Sequence, residues 1–339
     1  MIKRNYSYFV LLFFASAYTC DEVMAQQTPI YSQYMFNNFL INPACAGAEG
    51  YTAVNLTARD QWVGLPNAPV TYALSANMRI LKNGNPSGAS KQKKYKRSPT
   101  GRVGIGGYVF SDKVGLINVT GLQGTYAYHI SFQKSQLSFG LGASIYQYKV
   151  DKNDITLSGQ PSDILIDNSN LTLYIPDFQV GIAYMYKGAY VGASVQDLFQ
   201  SMLRFSGQNA LGGNYPLSTP IIDYRTYNFI GYYLIELTNV YALEPAVWYK
   251  MDQSGAKQID ITGRLYYLED YWAGLSYRTG AIGGAFIFMG GIRYQRYFFG
   301  YAFDYTVSSI MKATYGTHEF MIAAKFGSNA RRFRWVSRY

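Results

Sequence analysis

The 339-residue chain has little charge, little cysteine and little histidine. Charged residues account for 15% of the sequence, and there are two cysteines and two histidines. An ordinary globular protein is roughly 25% charged, so the composition argues against the two soluble domains that the length would allow. After residue 20, no stretch approaches the ~18 continuous apolar residues of a membrane-spanning helix. The chain therefore does not read as a helical membrane protein either.

Aromatic residues and glycine are abundant. Aromatics make up 17% of the sequence, with 34 tyrosines, and there are 33 glycines. Low charge combined with many tyrosines and glycines suits a sheet that meets lipid on one face and water on the other. Only helices and closed barrels satisfy every backbone polar group in lipid. The composition therefore predicts an all-β fold, a transmembrane antiparallel β-barrel.

Residues that could support catalysis are sparse. His129 and His318 lie in segments far apart in the predicted barrel, and the neighbours His318 and Glu319 point to opposite faces of a strand. No nucleophile elbow, zinc-binding helix or phosphate loop occurs in its required context. We expect a non-enzyme with no cofactor and no metal. An outer-membrane hydrolase that depends on either histidine is the least favoured alternative.

The first 25 residues have the pattern of an export signal. Lys3 and Arg4 precede a short apolar core at 9–15, and Val23-Met24-Ala25 resembles a cleavage site. The mature chain is then expected to begin at Gln26. Lipidation of Cys20 is an alternative, although Tyr18 and Thr19 fit poorly before a lipidated cysteine. Loss of Cys20 would leave Cys45 as the one thiol, and we expect it to be a small buried residue.

From residue 51 to 327 the sequence breaks into segments with period-2 alternation, the signature of outer-membrane strands. We count about 14 strands, with aromatic residues gathered at segment ends. Pro245 falls inside one of them and predicts a bulge. The predicted strands lie near 51–60, 70–80, 102–111, 119–130, 136–148, 177–187, 189–197, 222–236, 239–250, 257–268, 270–279, 284–296, 297–308 and 315–327.

The connections after even-numbered segments are mostly tight, which predicts a periplasmic side of short turns and an external side of longer loops. The connection 81–101 breaks this rule because it is long and basic. A second basic cluster lies in the tail, 328–339, so that much of the +10 net charge falls on one face. Two interpretations of this basic face are possible: a flexible, solvated surface, or a docking surface for an acidic periplasmic partner. We do not expect nucleic acid to be a partner. The docking hypothesis names Lys91, Lys93, Lys94, Lys96, Arg97, Arg331, Arg332 and Arg334.

Residues 26–50 form an irregular segment that is rich in aromatic and aliphatic groups, so it must pack against something. A barrel of fourteen strands would be wide enough to leak, and this segment is the candidate plug, folded into or across the periplasmic mouth with Tyr34 and Phe36 buried. The predicted lumen face carries charges of both signs, and we favour an internal network of ion pairs as their interpretation. These residues are Arg79, Glu244, Asp260, Arg264, Arg278, Arg293, Asp304, Glu319 and Lys325. An ion or solute path is the alternative.

Three sets of residues resemble one known family. The first set is Tyr31-Ser-Gln-Tyr-Met-Phe-Asn37 with Ile41-Asn-Pro-Ala-Cys-Ala-Gly47, and the second is Arg59-Asp-Gln-Trp-Val-Gly64 with Ala68-Pro-Val-Thr-Tyr72. Gly316-Thr-His-Glu319 is similar to the last strand of the same family. Together these motifs resemble the PorP/SprF family. Cys45 and the basic connection 81–101 depart from the family pattern.

The resemblance implies an integral outer-membrane component of the type IX secretion system and of the linked gliding machinery. It also implies partners: other secretion components, a secreted or surface-anchored cargo such as a large adhesin, and outer-membrane lipid. We predict that external loops 149–176 and 198–221 recognise cargo; a passive channel for small solutes is the competing hypothesis. The residues assigned to the plug or to partner contact are Tyr31, Gln33, Tyr34, Phe36, Asn42, Pro43, Gly47, Arg59, Gln61 and Trp62.

Overall fold

The computed structural model describes most of the chain between Ile30 and Gly327. The described residues are 30–80, 101–132, 134–150, 172–199, 202–203, 206–208, 214–216, 221–222, 224–280 and 284–327. Within them, fourteen antiparallel strands form one closed barrel, which confirms the predicted fold class. No helix among these residues is long and apolar enough to cross a membrane.

The strands agree closely with the predicted segments, and most ends fall within three residues of the expected positions. The strand at 226 is followed by the short continuation Ile235–Glu236, which pairs with the next strand. The strands are β1 Thr52–Asp60, β2 Val70–Ile80, β3 Val103–Val114, β4 Ile117–Ser131, β5 Ser135–Val150, β6 Thr172–Tyr186, β7 Ala189–Gln196, β8 Thr226–Tyr233, β9 Tyr241–Asp252, β10 Lys257–Tyr267, β11 Tyr271–Gly280, β12 Gly284–Tyr294, β13 Tyr297–Val307 and β14 Thr317–Phe326.

Each strand pairs with its neighbours in sequence, and β1 pairs with β14 to close the barrel. The predicted bulge at Pro245 is wrong. Pro245 lies opposite Gly263 in an unbroken register between β9 and β10. On its other side the ladder is interrupted between Tyr232 and Ile235, yet the register is the same before and after the gap. Since proline lacks the N–H that would donate to β8, it removes pairing there without adding a residue to the strand.

The two ends of the barrel differ. One end, which we name the turn end, carries the connections 132–134, 187–188, 268–270 and 295–296. The opposite end, the loop end, carries longer connections, including 61–69 and 308–316, and also the two-residue turn at Gly115. The connection 81–101 belongs to the turn end, as predicted from its place in the chain, and residues 81–100 lie outside the described residues.

Side chains alternate between an apolar outer surface and a polar lumen. On β2, Tyr72 and Leu74 are exposed outside, whereas Thr71, Ser75 and Arg79 are buried inside. This alternation is the pattern of a barrel whose outer surface contacts lipid. The inner positions carry polar and charged groups, which would destabilise the barrel if they faced lipid.

We expect Leu141→Arg to destabilise the barrel by about 2–4 kcal/mol, the cost of an arginine near the bilayer midplane. Leu141 is 51% exposed at the centre of β5. Tyr174→Arg is the matched control, because Tyr174 is 68% exposed near the loop end of β6, where the cost falls to about 0–1 kcal/mol. Reversible folding into lipid vesicles in urea measures both. Equal costs would mean that this surface does not contact lipid.

The segment 30–50 runs inside the barrel as three short 3-10 turns, Tyr34–Phe36, Asn38–Leu40 and Pro43–Cys45. Nearly all residues from Tyr31 to Ala48 are buried, which is unusual for a stretch without regular secondary structure. Asn42 caps the third turn, because its side-chain oxygen accepts the N–H of Ala44 and Pro43 occupies the first position. The Asn-Pro-Ala sequence thus sets the local shape of the segment.

Candidate functional site

The luminal segment, residues 30–50, descends along the barrel axis from the loop end to the turn end. Near the loop end, the backbone N–H of Ser32 donates to Glu319, the third residue of β14. Asn37 donates to Ser75 at the middle of β2. At the turn end, the carbonyl of Ala48 accepts from Gln136 on β5. The segment was expected to plug the lumen by folding into or across the periplasmic mouth. It extends further than the mouth and occupies the length of the lumen, with polar partners from the loop end to the turn end.

A row of small inward positions on the wall, which we call the small-residue groove, receives the lower half of the segment. Its members lie directly opposite one another on five neighbouring strands. A Cβ at each of the three glycines of this row would overlap the segment's own backbone or the Asn42 side chain. Glycine is required here by close approach of two main chains. The row consists of Gly104, Ala127, Gly140, Gly181 and Ser194.

Hydrogen bonds fix the segment within this groove. Asn42 donates to the carbonyl of Ile182 at 3.0 Å, and the Ser194 hydroxyl donates to the carbonyl of Ile41 at 2.7 Å. His129 bonds through one ring nitrogen to the carbonyl of Ala46 at 2.9 Å and through the other to Ser138. One of the two histidines therefore holds the segment and is fully buried.

Cys45 lies buried in the groove, as expected, with its sulfur 3.0 Å from the hydroxyl of Tyr190. Tyr190 stacks on Tyr232, with ring centroids 4.7 Å apart. Burial raises the pKa of the Cys45 thiol to about 12. Since the thiolate is the reactive form, we expect Cys45 to react slowly while the segment is seated, so that its reactivity can be used to test whether the segment is released.

The middle of the segment packs against aromatic and charged groups on the opposite wall. The Tyr34 ring lies 4.8 Å from the ring of Trp248, and the Phe36 ring lies 4.5 Å from that of Trp272. The guanidinium of Arg264 covers Phe36 at 4.4 Å and is paired with Glu244. Tyr34 is 1% exposed, and Phe36 is half-buried at the edge of an apolar pocket near the turn end.

A charged cluster at the loop end holds the first residues of the segment. Arg59 bonds Asp304 at 2.8 Å and Glu319 at 3.1 Å. Glu319 accepts the backbone N–H groups of both Ser32 and Gln33, at 2.7 and 2.8 Å. The Ser32 hydroxyl lies 2.8 Å from Asp304 and from Arg59. The segment thereby completes an ion network that the barrel wall leaves open.

The same cluster continues around the wall. Arg278 bonds Asp260 at 2.7 Å and Asp304 at 3.3 Å, and also donates to the carbonyl of Tyr31. At the turn end Lys325 pairs with Glu49 at 2.8 Å, and Arg79 donates to Gln136. The predicted lumen charges are thus engaged with partners, which favours an internal network over an ion path. Arg293 is half-buried at the turn end, where it pairs with Asp270 at 3.6 Å.

Eight of the ten residues assigned to the plug or to partner contact meet in the lumen. The other two, Gln61 and Trp62, lie at the rim of the loop end. Trp62 donates its backbone N–H to the hydroxyl of Thr317, and the next residue, Val63, donates to the carbonyl of Gly316. The first part of the first signature set therefore meets the second and third sets at one corner, where β1, β14 and the start of the segment lie together. The second part of the first set, residues 41–47, lies in the small-residue groove instead. The eight luminal residues are Tyr31, Gln33, Tyr34, Phe36, Asn42, Pro43, Gly47 and Arg59.

Both basic clusters, and most of the two loops assigned to cargo, lie outside the described residues. Their assignment stays a prediction. Among the residues that the structure does describe, no group of three or more acidic, histidine and cysteine side chains is placed to hold a metal ion.

Sequence reasoning missed the small-residue groove and the partners of Ser32. Glycine and alanine at alternate positions of β3, β4 and β5 are visible in the sequence, but nothing in any one strand indicates that they form a single row. The register that aligns them into one row is a tertiary property. Asp304 and Glu319 were placed on the lumen face, although nothing in their local sequence indicated that they bind the segment.

Comparison with known protein families agrees with these motifs. The family described as "Type IX secretion system membrane protein PorP/SprF" matches residues 23–324. The chain belongs to the PorP/SprF family. The match includes the luminal segment and the strands up to Ala324 in β14, so the luminal segment lies within the region that the family model covers in this PorP/SprF protein.

No curated protein is significantly similar to this chain in sequence. Among solved structures, the toluene transporter TbuX of Ralstonia pickettii is similar, with 11% identity, a TM-score of 0.50, and coverage of 85% of this chain and 92% of TbuX. The toluene transporter TodX of Pseudomonas putida has 11% identity and a TM-score of 0.47 over the same shares, 85% and 92%. At this identity the likeness to TbuX shows the fold alone, a membrane β-barrel.

Proposed function

We propose that this PorP/SprF protein is a closed outer-membrane barrel that anchors and assists type IX secretion, and that it is neither a solute channel nor an enzyme. The observation that carries the proposal is the burial of the luminal segment from Tyr31 to Ala48 against the barrel wall. Family membership supplies the context of the type IX secretion system. The role as an anchor and export partner for a cargo, such as a large adhesin, extends that context.

Three features of the lumen support closure. The segment's backbone fills the small-residue groove on β3 to β7, its aromatic side chains contact Trp248 and Trp272 on the other side, and its first amides bind Glu319. Each contact buries side-chain or backbone groups that would be hydrated in a water-filled channel. A segment that served only as a linker would not need glycine at three positions of one row, Gly104, Gly140 and Gly181.

The competing function is a passive channel for small solutes, and the fold by itself allows it. A barrel of fourteen strands lies between filled eight-stranded barrels and water-filled porins of sixteen strands. The buried ion pairs Arg59–Asp304 and Arg278–Asp260 lie along the lumen wall beside the start of the segment. Because these charges are satisfied by one another, the described residues of the lumen do not form the ring of like charges that selects a permeating ion.

Partner binding is the second half of the proposal. The turn end would face the periplasmic part of the machine, and the loop end would face cargo. Purification of the intact barrel from outer membranes, followed by mass spectrometry of retained proteins, tests this. We expect secretion components or a cargo protein in stoichiometric amounts. Recovery of ordinary porins and lipid alone would contradict the proposal.

Neutralising the basic connection should weaken retention of an acidic periplasmic partner. The variant carries five glutamines in place of Lys91, Lys93, Lys94, Lys96 and Arg97. Each charge near a binding surface contributes to association in a salt-dependent way, so the retained amount should fall several-fold and lose its salt dependence. Glutamines at Arg331, Arg332 and Arg334 form a second variant that reports on the tail separately. Unchanged retention of the partner in both variants would show that neither basic cluster binds it and that both are simply solvated.

A further inference from the structure

We infer that the apolar pocket at the turn end binds an apolar side chain flanked by lysine or arginine, presented by a periplasmic protein. The inference deepens the partner-binding half of the proposed function and rests on it for the source of the ligand. It concerns a different surface from the two basic clusters, which were assigned to an acidic partner and lie outside the described residues.

The walls of the pocket are apolar and lie at the turn end of the lumen. Four of them, Ala242, Tyr266, Trp272 and Phe298, are each the second residue from the turn end of their strand and at most 8% exposed. Phe36 of the luminal segment lines the pocket as well, with its ring 4.5 Å from that of Trp272. Aromatic and aliphatic walls of this kind favour an apolar occupant.

Among the described residues at the mouth of the pocket, acidic side chains outnumber basic ones. Glu269 lines the pocket and is exposed, and Glu236, which pairs across the ladder with a wall residue, is exposed as well. Arg293 also lines the pocket and is paired with Asp270 at 3.6 Å. Three carboxylates beside one guanidinium favour an occupant that carries a basic group next to its apolar one.

Basic residues on the neighbouring elements are engaged elsewhere. The Lys187 ammonium lies 5.6 Å from the ring of Tyr186, and the Arg296 guanidinium lies 5.6 Å from the ring of Phe326. Both rings are exposed on the outside of the barrel. Lys325 is nearer to the pocket, but a carboxylate of the luminal segment pairs with it at 2.8 Å. The mouth therefore keeps its acidic character.

The turn beside the mouth has a sequence that its backbone does not favour. Leu268 and Glu269 occupy the two central positions with φ of 53° and 62°, and the N–H of Asp270 donates to the carbonyl of Tyr267. A tight hairpin turn with two positive φ values prefers Asn-Gly, because left-handed backbone is unfavourable for other side chains.

The leucine of this turn also extends the apolar surface beyond the pocket. Leu268 is 50% exposed, and its backbone N–H donates to the carbonyl of Val240, a lining residue. Backbone strain of this kind clusters at functional sites. A protein that inserts a side chain into the pocket would also cover Leu268, whereas a free small molecule confined to the pocket would leave it in water.

Titration of the full-length protein in lipid nanodiscs with synthetic peptides tests the inference. The signals are NMR resonances of the labelled methyl groups of Leu234, Val240 and Ala242, which line the pocket. The probe is acetyl-Gly-Lys-Phe-Lys-Gly-amide, and two matched peptides carry alanine in place of phenylalanine or glutamate in place of both lysines. We expect saturable shifts with the probe and binding at least about 10-fold weaker for either matched peptide. An equal response to all three peptides, or no response to the probe, would overturn the inference.

Leu268→Asn combined with Glu269→Gly separates binding from folding. The variant has the sequence that the turn prefers, so the urea midpoint of unfolding should rise while affinity for the probe falls roughly 10-fold. Lys187→Asn is the matched control, because it relieves a left-handed residue, φ 43°, in a neighbouring turn without changing the mouth. Its affinity for the probe should equal that of the natural protein. Unchanged affinity in the double variant would contradict the assigned site.

Two further outcomes identify the source of the ligand. The tail 328–339 contains Arg332-Phe333-Arg334, which has the same chemistry as the probe. A rise in affinity for the probe on deletion of this tail would identify the chain itself as the source and overturn the assignment to a partner. Retention of secretion components by a barrel that does not bind the probe would keep the proposed function and reject the pocket as its site.

Discussion

Gly140→Val is expected to drive the lower half of the luminal segment out of its groove and to make Cys45 reactive. A Cβ at Gly140 would overlap the main chain of Pro43 and Ala44, and backbone cannot yield as a flexible side chain does. Overpacking of this kind costs about 1–3 kcal/mol, occasionally more. The alkylation rate of Cys45 should therefore rise roughly 10- to 100-fold, since the neutral, buried thiol reacts only when the segment opens.

Gly124→Val is the matched control. Gly124 lies on the neighbouring strand β4, and a Cβ there meets no atom within 4 Å because it points away from the lumen. Cys45 should stay as unreactive in this variant as in the natural protein. A folded Gly140→Val barrel with unchanged Cys45 reactivity would show that the segment is not seated in the groove.

Arg59→Ala should cause the largest loss of stability among single substitutions in the lumen. It removes the cation that bonds Asp304, Glu319 and Ser32 at once, and it leaves two carboxylates buried. Breaking a buried ion pair from one side costs about 3–5 kcal/mol. Urea titration of the barrel in lipid vesicles measures the change in the free energy of unfolding.

Arg293→Ala separates this effect from the general loss of an arginine. Arg293 pairs with Asp270 at 3.6 Å, and both side chains are partly exposed, so its removal should cost at most about 1 kcal/mol. Hydrogen exchange supplies a second reading, because the amides of Ser32 and Gln33 should lose protection in Arg59→Ala alone. Equal destabilisation by the two variants would mean that the charged cluster does not hold the segment.

The barrel could be predicted from the sequence because the alternation of apolar and polar residues repeats in strand after strand. Alternation at period two is weak in one strand, but the same pattern recurs along residues 51–327, and pairs such as Tyr72 and Thr71 sort to opposite faces by backbone geometry alone. The end of each strand follows from turn residues such as Gly115 and Gly188, which adopt positive φ. Local chemistry therefore sufficed for the fold.

The site was predictable only in part. Burial of Tyr34 follows from its apolar ring, and the need of residues 26–50 for a packing surface follows from their composition. The path of the segment does not, because it depends on the alignment of Gly104, Gly140 and Gly181 on separate strands. The anchoring of Ser32 likewise depends on charges that are more than 240 residues away in sequence. Pairings at that separation are set by register and barrel closure, which no single stretch encodes.

Single-channel recording in planar lipid bilayers tests the central claim, that the luminal segment closes the barrel. We predict that the intact protein gives no large steady current, whereas deletion of residues 30–48 or the Gly140→Val substitution produces open-channel steps. Gly124→Val should behave like the intact protein. A large, steady open-channel current from the intact protein, unchanged by removal of the segment, would contradict closure.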